Sequence, residues 1–292
     1  MRKLILILSM LCLCLGAGAQ RFAPYRQYVT LNAGIGLNGY GYKLAEDGSK
    51  DLNGGVMARL GYHFIKRDCG FWAGMMIESF NSNAIVSYDQ RISGAVDQEG
   101  GGYVHVTRFS DWEENHKQLI LSIPLEFNYR FYLGDGMKLL LGVGPLLQFS
   151  IKNSYRITSG HLQTMMYYPE YDLLVDELAP QHHLYTASGF NGEYKLKFSP
   201  GMVFDAGILY PLEKNFELNL GFYGTMSLAS QTEGREAGPY DPDCMAADAY
   251  TDARYYGVFN SNVTNKLKPF SIGIQVGLYY YIPYSDKDSK AQ

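Results

Sequence analysis

The sequence predicts an all-β fold: an eight-stranded antiparallel transmembrane up-and-down β-barrel with short periplasmic turns and long extracellular loops. Three observations carry this. Eight stretches alternate apolar and polar residues with period 2, the mark of strands whose two faces meet different surroundings. Hairpin-sized and long connections alternate strictly between those stretches, as in barrels inserted from the periplasm. The chain also opens with a secretory leader.

The leader comes first. Arg2 and Lys3 precede an apolar core from Leu4 to Leu15, and Ala17-Gly18-Ala19 precede Gln20. That order is a signal peptide, and the apolar core is too short to span a bilayer as a helix. Residues 1–19 are therefore expected to be removed, leaving a barrel domain over 20–284 and a short tail over 285–292. Losing Arg2 and Lys3 makes the formal net charge more negative than the −4 of the full chain. A mildly acidic product lacks the electrostatic footprint of a nucleic-acid binder. The mean hydropathy of −0.16 suggests a soluble protein, but alternating barrel strands escape averaged hydropathy.

The first stretch (27–37) sets Val29, Leu31, Ile35 and Leu37 against Thr30 and Asn32. The second (56–64) sets Leu60 and Tyr62 against Arg59 and His63. The third (71–79) sets Met75 and Ile77 against Glu78. The fourth (117–136) is the most regular, with Leu119, Leu121, Ile123, Leu125, Phe127, Tyr129 and Phe131 against Ser122, Glu126, Asn128 and Arg130. The fifth (138–151) presents Leu139, Leu141, Val143, Leu147, Phe149 and Ile151. The sixth (196–210) opposes Phe204, Ile208 and Tyr210 to Asp205, and the seventh (215–224) Leu218, Leu220 and Phe222 to Glu217 and Asn219. The last (269–282) opposes Ile272, Ile274, Val276 and Leu278 to Ser271 and Gln275. The apolar face is unbroken, while the other mixes Gly, Asn, Thr, Glu and Arg. The apolar face is therefore expected to meet lipid and the polar face to line the lumen.

Asp135-Gly136 is a tight-turn pair, and the second-to-third and sixth-to-seventh connections are equally short. The remaining connections are long, three of them roughly 40 residues, the length at which a structureless loop in a compact domain becomes unusual. Pro124 and Pro145 interrupt two strands, so bulges or breaks in pairing are expected there. A short external helix is expected over 169–179, with Pro169 at its first turn. Tyr129, Phe131, Tyr132, Tyr210, Tyr279, Tyr280, Tyr281 and Tyr284 fall near the inner strand ends and read as an interfacial girdle. Cys69 sits in an inner turn and Cys244 in an outer loop, separated by an apolar band about 25 Å tall, so both are expected to be free thiols.

"LSIPLEFNYRFYLG", "LLLGVGPLLQFSI" and "FDAGILYPLEKNFELNLGFYG" resemble, in this order, the eight-stranded outer-membrane β-barrel family of Bacteroidota, the PorT-like or porin-family β-barrel domain. The resemblance covers nearly all of the mature chain. It implies the cell outer membrane as the location and, from the best-known member, an accessory role in a protein-secretion assembly. The eight residues after Tyr284 depart from the family habit of ending on an aromatic of the last strand.

An eight-stranded barrel is just wide enough for its own side chains to fill it. Parity assigns Arg59, Glu78, Glu126, Arg130, Asp205 and Glu217 to the lumen, with Tyr28, His63, Trp72 and Tyr223. Buried charges of both signs should pair, so Arg59 and Arg130 are expected to neutralise some of the four carboxylates and plug the tube. The rival is an open, cation-preferring pore lined by the acidic excess. For function, the leading expectation is a scaffold or interaction protein displaying extracellular loops. A passive small-solute channel comes second, and an outer-leaflet lipid-modifying enzyme using His182, His183 and Ser188 third. No catalytic, cofactor or metal site is assigned; the acidic runs at 169–177 and 240–252 read as solvated loops. The expected partners are outer-membrane lipid, the barrel-insertion machinery and a surface or secretion-system protein, with no nucleic acid and a monomeric chain.

Overall fold

The computed structural model describes residues 25–44, 48–96, 100–175, 184–186, 190–213, 215–232, 238–241 and 254–283. Eight long strands build the fold: β1 (Arg26–Leu44), β2 (Gly48–Lys66), β3 (Cys69–Val96), β4 (Gly102–Gly134), β5 (Met137–Tyr168), β6 (Ser199–Glu213), β7 (Phe216–Ser227) and β8 (Thr264–Ile282). Each pairs antiparallel with its sequence neighbours. β8 returns to β1, paired from Gln27↔Ile282 to Leu44↔Thr264 with one register shift between Gly41 and Lys43. The ring is therefore closed through the lipid band, while β5 runs on past its last rung with β6 at Gln148↔Ser199 and there pairs with short strands instead.

The barrel is inside-out relative to a soluble one. Leu31, Ile35, Met75, Leu220, Phe222 and Ile274 are among the most exposed large apolar side chains, while Arg59, Glu78, Glu126 and Arg130 are buried. A contiguous apolar belt of this extent is not left against water. It is the lipid-facing band of a membrane barrel, and on β1 the exposed stretch 29–37 matches the roughly 9–11 residues a tilted strand needs to cross. One end of the barrel is closed by tight turns. At Asp135-Gly136 both central residues have positive φ, 50° and 78°, the geometry whose twist matches the flanking strands.

The other end is where the sequence expectation fails. β3, β4 and β5 run for 28, 33 and 32 residues, roughly three times what a crossing requires. The connections read as long loops after the first and third stretches are mostly strand: β1 and β2 are separated only by residues 45–47, and β3 and β4 only by 97–101. The sheet thus continues past the lipid as a turret. Residues 169–172 form turns and Leu173–Val175 a short strand against β5, so the described part of 169–179 is not the expected helix. Lacking a partner for its apolar side in water, that segment adds to an available sheet edge instead.

At Pro124 and Pro145 the ladder breaks without slipping. Pairing jumps from Ala73↔Leu125 to Met76↔Ser122 on one side, and from Pro124↔Leu146 to Phe127↔Val143 on the other. The register is the same before and after each gap. Tyr129, Phe131, Tyr132, Tyr210 and Tyr280 are exposed as a girdle requires, but Tyr279 is buried in the lumen, because it has the opposite parity to Leu278 and Tyr280. Cys69 is an exposed free thiol. Cys244, Tyr284, the leader and the tail lie outside the described residues.

Gly136→Ala forces a Cβ into a left-handed turn position, where an L side chain costs about 1–2 kcal/mol. Urea unfolding of the barrel in lipid is expected to show a loss of that size, with Asp135→Asn nearly neutral.

Candidate functional site

All six charged residues that parity assigns to the lumen are buried there. They do not form one cluster but stacked layers. In the central layer Arg59 of β2 donates through Nη2 to Glu126 Oε1 of β4 at 2.8 Å and through Nη1 to Asp205 Oδ2 of β6 at 2.9 Å. β2 and β6 are diametrically opposed in an eight-strand ring, so this side chain spans the lumen from wall to wall. Its guanidinium lies 4.0 Å from the Trp72 ring centroid, and Trp72 Nε1 donates to Thr30 Oγ1 at 2.7 Å. Gln275 Nε2 donates to the second Asp205 oxygen at 2.5 Å. The cation is thus bracketed by two carboxylates and an aromatic face, a geometry that offsets the cost of burying charge.

Toward the tight-turn end, the expectation for Arg130 is corrected. Among the described residues Arg130 forms no ion pair with a carboxylate. It sits 4.9 Å from the Tyr28 ring centroid and donates to Tyr28 Oη at 3.4 Å. Tyr28 donates in turn to Glu217 Oε1 at 3.2 Å, and the cation on Glu217 is Lys138 Nζ at 2.5 Å. Lys138 has lumen parity, but its place at the strand end does not by itself show that the long side chain turns inward. In the structure it turns back into the tube, and among the described residues the membrane-spanning lumen holds three cations against four carboxyl groups. His63 packs between the rings of Tyr28 and Tyr279.

On the turret side of the Arg59 layer lies an apolar one, formed by Met57, Met76, Leu146, Val203 and Tyr223. Beyond it Glu78 Oε1 accepts from Ser271 Oγ at 2.6 Å and Thr225 Oγ1 at 3.3 Å. β3 and β7 are again opposite walls.

A second filling occupies the turret, and the sequence reading did not find it. Trp112, Tyr155, Tyr194, Tyr255, Val258 and Phe259 belong to the largest buried apolar cluster. Tyr255 to Phe259, in the connection between β7 and β8, lie inside the strands. Glu114 of β4 holds them there. Tyr255 Oη donates to Glu114 Oε2 at 2.6 Å, and the Val258 N–H donates to both carboxylate oxygens at 3.1 Å. Gly257, with φ of 88°, allows this approach: a Cβ there would lie 3.0 Å from Glu114 Oε1 and 3.1 Å from the Tyr155 ring. His116 Nε2 lies 2.5 Å from Glu114 Oε1, and the His116 ring stacks on Phe259 with centroids 3.5 Å apart. Burial, then the Glu114 charge, push the Tyr255 hydroxyl well above its ordinary range, so it remains a donor at any physiological pH. Gln90 Nε2 adds a further tie, donating to the Tyr240 carbonyl at 2.7 Å.

His182, His183 and Ser188 lie outside the described residues, as do Asp176, Glu177, Asp243, Asp248 and Asp252 of the acidic runs. Among the described residues no group of three or more His, Cys, Asp or Glu side chains is placed to hold a metal ion.

No protein-family model and no curated protein matches the chain. Solved structures do. Neisserial surface protein A (NspA) aligns over 88% of this chain and 99% of its own at 12% identity, with a TM-score of 0.38. The outer membrane protein OprG from Pseudomonas aeruginosa aligns over 89% and 96% at 12% identity, with a TM-score of 0.33. Ail, the attachment invasion locus protein of Yersinia pestis, was solved with the heparin analogue sucrose octasulfate. It aligns over 89% and 100% at 8% identity, with a TM-score of 0.29.

Arg59→Met strands two buried carboxylates and is expected to lower unfolding stability by about 3–5 kcal/mol. R59M/E126Q/D205N removes the charges together and is expected to recover most of that loss in the same unfolding assay. For the turret, Tyr255→Phe removes a donor from a buried carboxylate, a loss of about 1–3 kcal/mol. Limited proteolysis of the folded barrel is expected to cut faster within 254–263 in Y255F than in the parent.

Proposed function

We propose that this chain is an outer-membrane barrel that works as a closed scaffold, presenting its turret and outer connections to partners rather than passing solutes. The observation that carries the reading is the Arg59 bridge between opposite walls, with an apolar layer directly above it. A solute crossing this lumen would have to part the buried Arg59–Glu126–Asp205 ion triad and then five apolar side chains. The Glu114-anchored plug supports the same reading, because it fills the outer half with the chain's own side chains. A rigid frame carrying irregular segments at one end is the usual arrangement for recognition. The resemblance read from the sequence extends the proposal to Bacteroidota, to export through a cleaved leader and to an accessory role in a secretion assembly. On this reading the protein is monomeric and not an enzyme, its partners being outer-membrane lipid, the insertion machinery and a surface or secretion-system protein.

Planar-bilayer conductance of the refolded full chain tests this, after a heat-modifiable gel shift establishes folding. The expected record is silent, both for the parent and for Phe259→Ala, because loss of the outer plug leaves the Arg59 layer intact. Stable single-channel steps from the parent protein would replace the scaffold with a pore lined by Glu78, Glu126, Asp205 and Glu217.

A further inference from the structure

Where the turret leaves the lipid band, its outer wall carries a basic groove that none of the readings above uses. β4 and β5 slip register between Leu119 and Ile120, and Ile151 and Lys152 are both exposed in succession. This bulge sits at the upper limit of the apolar belt: Leu119, Phe149 and Ile151 are exposed below it, and Lys117, Lys152 and Arg156 are exposed above it. Leu119 pairs with Lys152, Lys117 with Ser154 and Asn115 with Arg156, so the three cations share one face of two adjacent strands. The short strand Asn191–Glu193 adds to β5 at Ser154–Arg156 and closes the far side of a groove of about 700 Å³.

The charges are unbalanced. Among the described residues Lys117, Lys152 and Arg156 make no ion pair, and Glu193 is the one acid lining the groove. Glu113, two residues before Asn115 on β4, is held by Asn83 and Ser159. Asn115 is oriented by its bonds to Asn81 and Asn83. Beneath the groove Phe149 and Phe198 pack with ring centroids 5.1 Å apart, forming an apolar ledge inside the belt. A basic groove directly over an apolar ledge, at the level where lipid headgroups begin, matches an amphiphile with a phosphate at its head.

We propose that the groove bounded by Lys117, Lys152 and Arg156 binds the phosphorylated headgroup of an outer-leaflet lipid, with an acyl chain lying along Phe149 and Phe198. The proposal rests on the reading that the turret end faces outward from an outer membrane. Each cation near a membrane surface strengthens anionic-lipid binding by roughly fivefold, so three contribute on the order of a hundredfold.

The test uses the full chain refolded in phosphatidylcholine, with heat-modifiable migration as the check on folding. Monophosphoryl lipid A and the same lipid without its phosphate are added in equal amounts, and retention is counted by native mass spectrometry. The parent protein is expected to retain the phosphorylated lipid preferentially. K117Q/K152Q/R156Q is expected to lose on the order of a hundredfold in affinity, while K117R/K152R and the turret-tip control R91Q/R108Q keep it. Equal retention of the two lipids, or undiminished retention by K117Q/K152Q/R156Q, overturns the site. A barrel that folds, stays silent in the bilayer and binds neither lipid overturns this site alone. A chain that does not fold in lipid overturns the outer-membrane reading with it.

Discussion

A charge buried in a narrow tube is costly unless it is partnered, and Arg59 finds carboxylates on two other walls. That requirement organises the middle of this protein. A guanidinium anchored on β2 reaches Glu126 on β4 and Asp205 on β6, so three strands far apart in the sequence are drawn to one point on the barrel axis. The interaction need not add net stability, since a buried ion pair often breaks even against apolar packing. It does set relative positions. A one-residue slip of β2 against β3 would turn Arg59 toward lipid, with the cost of an unpaired charge in hydrocarbon. The neighbouring layers, Lys138–Glu217 with Tyr28 on one side and Glu78 with Ser271 and Thr225 on the other, repeat the same device at different heights.

The two fillings of the tube are chemically distinct. The membrane-spanning part is closed by side chains belonging to the wall itself, and each charged layer is shared among strands. The turret is closed by a segment inserted from the β7–β8 connection and held by one carboxylate, Glu114, which receives a tyrosine hydroxyl and a backbone N–H together. A single chain thus uses a wall-to-wall network where water is excluded and a docked segment where water is adjacent.

The sequence showed the barrel clearly and the turret hardly at all, for one physical reason. Within the lipid band the apolar parity points outward; Leu119, Phe127, Phe149 and Ile274 made those strands legible. Above it the alternation continues with its sense reversed. On β4 the outward residues become Glu113, Asn115 and Lys117, while Trp112, Glu114 and His116 turn inward. A water-facing wall around an apolar filling has the opposite polarity to a lipid-facing wall around a polar one. One sense of alternation therefore ends at the reversal, and what lies beyond it lacks the signature of a lipid-facing strand. Lumen parity placed Arg59, Glu78, Glu126, Asp205 and Glu217 inside, yet parity cannot say which partners meet: Arg130 faces Tyr28, and Lys138 takes the carboxylate. Nothing local in "YYGVFN" announces that Tyr255 and Phe259 fold into the turret, because that depends on a carboxylate more than a hundred residues earlier.

The length of β3, β4 and β5 has a consequence for reach. From Leu119 to the end of β4 at Gly102, a strand rising about 3.3 Å per residue and tilted near 40° climbs roughly 40 Å. The Gly102 end of β4 therefore stands well clear of the bilayer surface, beyond the depth of a lipid headgroup. A binding partner could meet it without displacing lipid, and a soluble macromolecule too large to approach the membrane would still touch this protein first.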